Sequence, residues 1–226
     1  MAVLRVLDLG PMPYLEAWAL QKQLAQERGA DGIPDTLLLL EHPHTYTLGS
    51  AGHDEYILLS PDELAVRHID VLRVDRGGDV TYHGPGQLVG YPILKLPPAL
   101  DNLHADVIDY IRRLEQSIIA ALAEYGIAGW PYAGLTGVWV GDHAAPAKIC
   151  AIGVKITTRR VTLHGFALNV NTDLSYFAGI VPCGIHDKAV TSMQQVLRAP
   201  VDMTSVTAAV TRALAAEFGF DAITHD

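Results

Sequence analysis

The sequence predicts an α+β fold, with a central mixed or antiparallel sheet and helices flanking it. Three observations carry that expectation. Strand-like apolar runs outnumber helical patterns. Two of the longest runs, residues 148–157 and 161–170, flank the short polar connection Thr157-Thr158-Arg159-Arg160 as the arms of a hairpin do. Two later segments carry an apolar stripe at helical spacing. The 226 residues are 50% hydrophobic and 18% charged, enough to bury one core. No repeat of 20–50 residues and no linker divides them, so residues 1–226 are expected to form a single domain.

From the N-terminus, Val3 to Leu9 reads as a strand. Pro13 to Arg28 then reads as a helix, with Gly29 where a left-handed cap is wanted. Leu37 to Glu41 is a buried strand by its length and flanks. Further strand-like runs cover Asp70 to Val74, Val80 to Tyr82, Gln87 to Leu96 and Gly137 to Val140. Between them, Val107, Ile108, Ile111, Leu114, Ile118, Ile119 and Leu122 keep one stripe of a helix that Asp101 or Asn102 would cap. A last helix covers about Thr204 to Phe218, with Val206, Val210, Leu214 and Phe218 at i+4 steps and Gly219 after them.

Composition narrows the function. A net charge of −9 argues against a protein that tracks nucleic-acid phosphates, although Arg112, Arg113, Arg159 and Arg160 offer a local basic patch. No apolar run approaches the roughly 20 residues that cross a bilayer. The first residues lack the blocks of a signal peptide, so a reducing cytoplasm is the expected setting for the two cysteines, Cys150 and Cys183.

Four segments hold the residues able to do chemistry. Residues 76–87, Arg-Gly-Gly-Asp-Val-Thr-Tyr-His-Gly-Pro-Gly-Gln, concentrate glycines and polar side chains between two strands. Such a stretch serves either as a tight turn with His83 bonded in the core, or as a loop whose backbone N–H groups approach a ligand closely. It lacks the lysine of a phosphate-binding loop. Cys183, in Pro182-Cys183-Gly184, sits in a turn-like context where reactive groups concentrate, whereas Cys150 lies in an apolar strand where a thiol is ordinarily inert packing. Lys148 shares a strand face with Cys150 by alternation, and is either a snorkelling lysine or a cation able to favour a nearby thiolate and act as a base. His164 is either a satisfied core imidazole or a base. His42 with His44, and Cys183 with His186, resemble metal half-sites, but no second half at zinc spacing stands out, so no metal is expected.

Taken together these segments resemble the octanoyltransferases of lipoate biosynthesis. The family signature Arg-Gly-Gly-x-x-Thr-Tyr-His-Gly-Pro-Gly-Gln-x-Val-x-Tyr-Pro fits Arg76 to Pro92 at every specified position. Glu41-His42-Pro43 with Thr47-Leu48-Gly49, Lys148-Ile149 with Ile152-Gly153-Val154, His164 to Asn169, and Pro182 to Ile185 look like family blocks in family order. The resemblance implies a fold like that of the biotin and lipoate protein ligases. It implies transfer of an octanoyl (or lipoyl) group from acyl carrier protein to a lysine of lipoyl domains, in 2-oxoacid dehydrogenase complexes and the glycine cleavage H protein, as the first step of endogenous protein lipoylation. A monomer needing no cofactor is expected. By family, Cys183 is the acyl-thioester nucleophile and Lys148 lowers its pKa, with His164 a possible auxiliary. Arg76, Gly77, Gly78, Asp79, Val80, Thr81, Tyr82 and His83, then Ala151, Ile152 and Gly153, and Gly165, Phe166 and Ala167, match the segments that line the substrate site. Backbone N–H groups of Gly77, Gly78 or Gly184 are candidates for holding the oxyanion. Other readings are an ATP-dependent ligase, a thiol hydrolase using Cys183 with His164 or His83, and an inactive carrier-binding module.

Overall fold

The computed structural model describes residues 1–99, 104–181 and 189–225. The expected α+β architecture is present as a large mixed sheet, a smaller sheet and flanking helices. In chain order the elements are β1 (Val3–Pro11), α1 (Tyr14–Gly29), β2 (Asp35–Glu41), β3 (Thr45–Leu48), α2 (Pro61–Val66), β4 (Asp70–Arg73), β5 (Val80–His83) and β6 (Gln87–Ile93). There follow α3 (Val107–Ala123), β7 (Trp130–Tyr132), β8 (Leu135–Asp142), β9 (Ala145–Ile156), β10 (Thr162–Asn169), β11 (Ala189–Val190), α4 (Met193–Leu197), α5 (Met203–Glu217) and β12 (Ala222–His225).

The large sheet runs β12-β1-β2-β6-β10-β9-β8-β7, with β11 added beside β9, and the small sheet runs β4-β3-β5. The apolar run Leu37 to Leu40 shows why β2 lies at the centre. Leu37 and Leu39 join one core with Leu114, Ile118 and Leu122 of α3 and Val210 and Leu214 of α5. Leu38 and Leu40 join the other, with Ala17 and Leu24 of α1. A strand covered on both faces needs apolar residues at every step. A third, smaller core forms where Tyr46, Leu48, Val80 and Tyr82 of the small sheet pack together, with Tyr176 and Phe177 against them.

The predicted hairpin is β9–β10, antiparallel from Thr162↔Ile156 to Leu168↔Cys150. Its turn closes through Arg160 N–H to Thr157 O at 2.9 Å, with Arg160 in the left-handed region. The last helix ends as expected, with Gly219 at φ +71° donating to Ala216 O.

Two helix ends differ from expectation. Gly29 belongs to the last turn of α1, and the left-handed residue is Asp31, at φ +59°. Glycine serves a different purpose there, since a Cβ on Gly29 would fall 2.9 Å from Cδ of Arg159. The cap of α3 is Asp106, whose carboxylate accepts the N–H of Asp109. Asp101 and Asn102 lie outside the described residues. Three of the four arginines of the supposed basic patch have local partners: Arg112 pairs with Glu115, Arg113 with Glu217, and Arg160 donates to Leu96 O.

Candidate active site

A cavity of about 430 Å³ opens where the Gly-rich loop, β9, β10, the start of α3 and the start of β8 meet. Its wall includes Arg76, Gly77, Gly78, Asp79, Val80, Thr81 and His83, Ala151, Ile152 and Gly153, Gly165, Phe166 and Ala167, together with Lys148 and His164. Of the predicted substrate-site residues, Tyr82 alone is absent from that wall. Its ring lies in the core of the small sheet, where it stacks on Tyr176 at 5.2 Å and its hydroxyl meets Nδ1 of His44 at 2.8 Å. Cys183, Gly184 and His186 lie outside the described residues.

The loop 74–79 lies against β9. Gly77 N–H donates to Val154 O at 2.9 Å, which removes that N–H from the candidates for an oxyanion. The approach is close enough that a Cβ on Gly153 would fall 2.9 Å from Gly77 O and 3.1 Å from Cδ of Arg76, so glycine is required by contact. Arg76 is buried and aims inward, donating from Nη2 to Thr47 O at 2.7 Å and from Nη1 to Gly77 O at 3.0 Å. His83 Nδ1 donates to Gln87 Oε1 at 3.0 Å. Gln87 Nε2 in turn donates to Asn169 Oδ1, and Asn169 Nδ2 to Thr191 O. Burial holds the His83 imidazole well below its usual pKa.

His164 sits in the middle of β10 at φ +58°, a conformation that costs a non-glycine residue on the order of 1 kcal/mol or more. The turn of backbone directs it at α1, where its N–H donates to Gln21 Oε1 at 2.8 Å. Its Nε2 donates to Asp75 Oδ1 at 2.7 Å, leaving Nδ1 as acceptor for the Tyr14 hydroxyl at 3.4 Å. Burial lowers the His164 pKa against the opposing pull of Asp75. Burial would raise the Asp75 carboxyl, but hydrogen bonds from Lys155, at 2.6 Å, and His164 bring it down to about 2. Beside this group His42 donates from Nδ1 to Met12 O and accepts from Tyr91 Oη, each at 2.7 Å. Burial pushes the His42 imidazole down to about 4 and the Tyr14 phenol up to about 12. The histidines of this end are therefore neutral hydrogen-bonding groups at pH 7.

Lys148 lies well along β9. It is the register partner of Trp139 in β8 and of Val190 in β11, and its Nζ lies 4.8 Å from the centre of the Trp139 ring. Cys150 is fully buried two residues on, and burial pushes its thiol far above the ordinary range despite the nearby Lys148 charge. Thiolate chemistry at Cys150 is disfavoured accordingly.

Sequence reasoning did not select Tyr14, Tyr91, Gln87 or Asn169 as site residues, although all four line the cavity. Gln87, Tyr91 and Asn169 belong to the quoted motifs, so their adjacency was the available signal. Asp75, which holds His164, directly precedes Arg76. Among the described residues no group of three or more His, Cys, Asp or Glu side chains is placed to hold a metal ion. Among them, too, no helix is long and apolar enough to cross a membrane.

Comparison with known proteins yields consistent matches. Residues 13–215 match the family described as the lipoyl protein ligase A/B catalytic domain. An octanoyltransferase of Chloroflexus aurantiacus is 55% identical over 193 residues, covering 85% of this chain and 84% of that protein. Among solved structures, one from an archaeal lipoylation system of Thermoplasma acidophilum, a bi-partite lipoate protein ligase and its E2 lipoyl domain, superposes with a TM-score of 0.74. It is 17% identical and covers 100% of this chain and 86% of that one. A biotin protein ligase of Aquifex aeolicus superposes with a TM-score of 0.50 at 15% identity, covering 97% of this chain and 70% of that one.

Proposed function

The chain belongs to the lipoyl protein ligase A/B catalytic-domain family, and we propose that it transfers octanoyl groups to lipoyl domains by way of an acyl-cysteine. The observation that carries this reading is the cavity itself. Its volume falls in the range of roughly 300–1,000 Å³ usual for small-ligand sites, and apolar side chains such as Val107, Ile111, Ile152 and Phe177 share its wall with the amine-bearing Lys148. An acyl chain suits such walls, and a carbonyl at the lysine suits the chemistry.

In the first half-reaction the Cys183 thiolate attacks the thioester carbonyl of octanoyl-acyl carrier protein. A C–S bond to Cys183 forms, the bond to the carrier's sulfur breaks, and the departing thiolate takes a proton from the Lys148 ammonium. In the second, the amine of a lipoyl-domain lysine attacks the acyl-Cys183 carbonyl. The amide forms, Cys183 leaves as thiolate, and neutral Lys148 accepts the proton lost by the amine. Lys148 returns to its starting state, and thioester plus amine has become amide plus thiol. The donor is already activated, so the balance needs no nucleotide. Burial of Cys150 supports Cys183 as the nucleophile.

The acceptors are lipoyl domains of 2-oxoacid dehydrogenase complexes and the glycine cleavage H protein, and the protein works as a cytoplasmic monomer. Transfer from octanoyl-acyl carrier protein to a lipoyl domain in nucleotide-depleted buffer tests the reading. Turnover at the rate seen with ATP is expected, and strict dependence on ATP and free octanoate would make the chain a ligase instead.

A further inference from the structure

We propose that Glu115 is a positioning residue for Lys148, acting through the backbone of Gly137. The inference rests on the reading of Lys148 as the group that handles protons in acyl transfer. Val107, Ile111 and Glu115 stand on one stripe of α3 at i+4 steps. The first two line the cavity, and the third lies below its wall with no exposed side-chain surface. A carboxylate in that position is costly unless it is bonded. Two bonds hold it: Oε2 pairs with Nη1 of the half-exposed Arg112 at 2.5 Å, and Oε1 accepts the Gly137 N–H at 2.9 Å.

Gly137 is the contact between this carboxylate and the lysine. It sits at φ +120°, beside the register shift in β8 between Val138 and Trp139. A Cβ there would fall 2.5 Å from Cys150 O and 3.6 Å from Cε of Lys148. The lysine stem therefore lies across bare glycine backbone, with the Trp139 ring beside its ammonium. An irregular strand residue of this kind has weak intrinsic preference for one geometry, and the buried acceptor on α3 supplies it. The bond to Gly137 N–H needs an acceptor oxygen and not a charge, whereas the pair with Arg112 needs the charge.

The test compares Glu115→Ala, Glu115→Gln and Gly137→Ala in full-length protein, with folding checked by thermal melting. Glu115→Ala is expected to lower kcat for octanoyl transfer by roughly 10- to 100-fold, the cost of a misplaced reacting group, with the donor KM within about twofold of the parent. Glu115→Gln keeps the acceptor and should recover to within about threefold. Gly137→Ala should reproduce the kcat defect with the carboxylate intact. Reductive methylation followed by mass spectrometry should show faster modification of Lys148 in the Ala variants than in the parent. A folded Glu115→Ala with parental kcat overturns the inference, as does a Gln variant as defective as the Ala variant. If Glu115→Ala does not fold, parental kcat in Gly137→Ala overturns it. Lys148→Met separates the two levels: full activity there defeats the functional reading, whereas an inactive Lys148→Met beside a normal Glu115→Ala defeats only the role of Glu115.

Discussion

The cavity wall joins two regions with opposite electrostatic construction. Around Lys148, an ammonium meets an aromatic face and a buried carboxylate lies one glycine away. Around His164, Tyr14, His42, His83 and Tyr91 are held neutral at pH 7 by burial, and the ionised Asp75 carboxylate is held by Lys155 and His164. Val154, the register partner of His164, is six residues from Lys148 along β9, or roughly 20 Å of strand. In the proposed reaction the charge that changes is that of Lys148, while the other end offers fixed hydrogen bonds that do not change state near neutral pH.

The largest expected effect breaks the charged end. Lys148→Met should lower single-turnover rates of both half-reactions at pH 7 on the order of 100-fold or more, and Lys148→Arg should rescue acylation better than transfer, because arginine keeps the charge that favours the Cys183 thiolate but cannot become the neutral base that accepts the amine proton. Equal losses in Met and Arg variants for both steps would remove the distinction between charge and base. A smaller effect belongs to the neutral end. Asp75→Asn weakens the grip on His164, so the donor KM should rise about tenfold while kcat stays within about threefold. A fall confined to kcat would assign His164 to the chemistry and erase the contrast.

The same contrast was only partly legible in the sequence. Leu37–Leu40, the β9–β10 hairpin and α5 with its Gly219 end were readable because periodicity and turn chemistry are local. Strands β3 and β12 are short and their partners lie far along the chain, and β7, though paired with the neighbouring β8, has only three residues, too few to show an alternation. The cavity residues of the Gly-rich loop could be chosen by motif, but Tyr82 could not be separated from its neighbours, since Val80 shares its strand face and still borders the cavity. His164 was visible as a residue and invisible as a geometry, because a left-handed histidine inside a strand follows from the contacts of Asp75 and Gln21 rather than from neighbouring residues.

Burial of the imidazoles makes stability depend on pH. His42 titrates near 4 when folded and near 6.5 when unfolded. Below pH 6.5 the unfolded chain takes up a proton that the folded one refuses, so stability falls with pH until about 4, by on the order of 3 kcal/mol in total. His83, shifted the same way, adds to the loss. Urea midpoints between pH 7 and 4.5 should drop steeply in the parent and less in His42→Gln, and parallel slopes would show His42 free to ionise in the fold.

The smallest effect is expected at the second thiol. Cys150→Ala should keep activity within about twofold and lose roughly 1 kcal/mol of stability from the small void it leaves. In the native parent, iodoacetamide should leave Cys150 unmodified, and rapid labelling there would contradict its burial.

In the proposed mechanism the octanoyl group rests on Cys183 between donor and acceptor. Mixing the protein with octanoyl-acyl carrier protein without nucleotide, then mapping the adduct by peptide mass spectrometry before and after adding a lipoyl domain, tests it directly. One octanoyl group is expected on Cys183, disappearing as the same mass appears on the lipoyl-domain lysine. An adduct on Cys150, or transfer with no protein-bound octanoyl at any time, would contradict it.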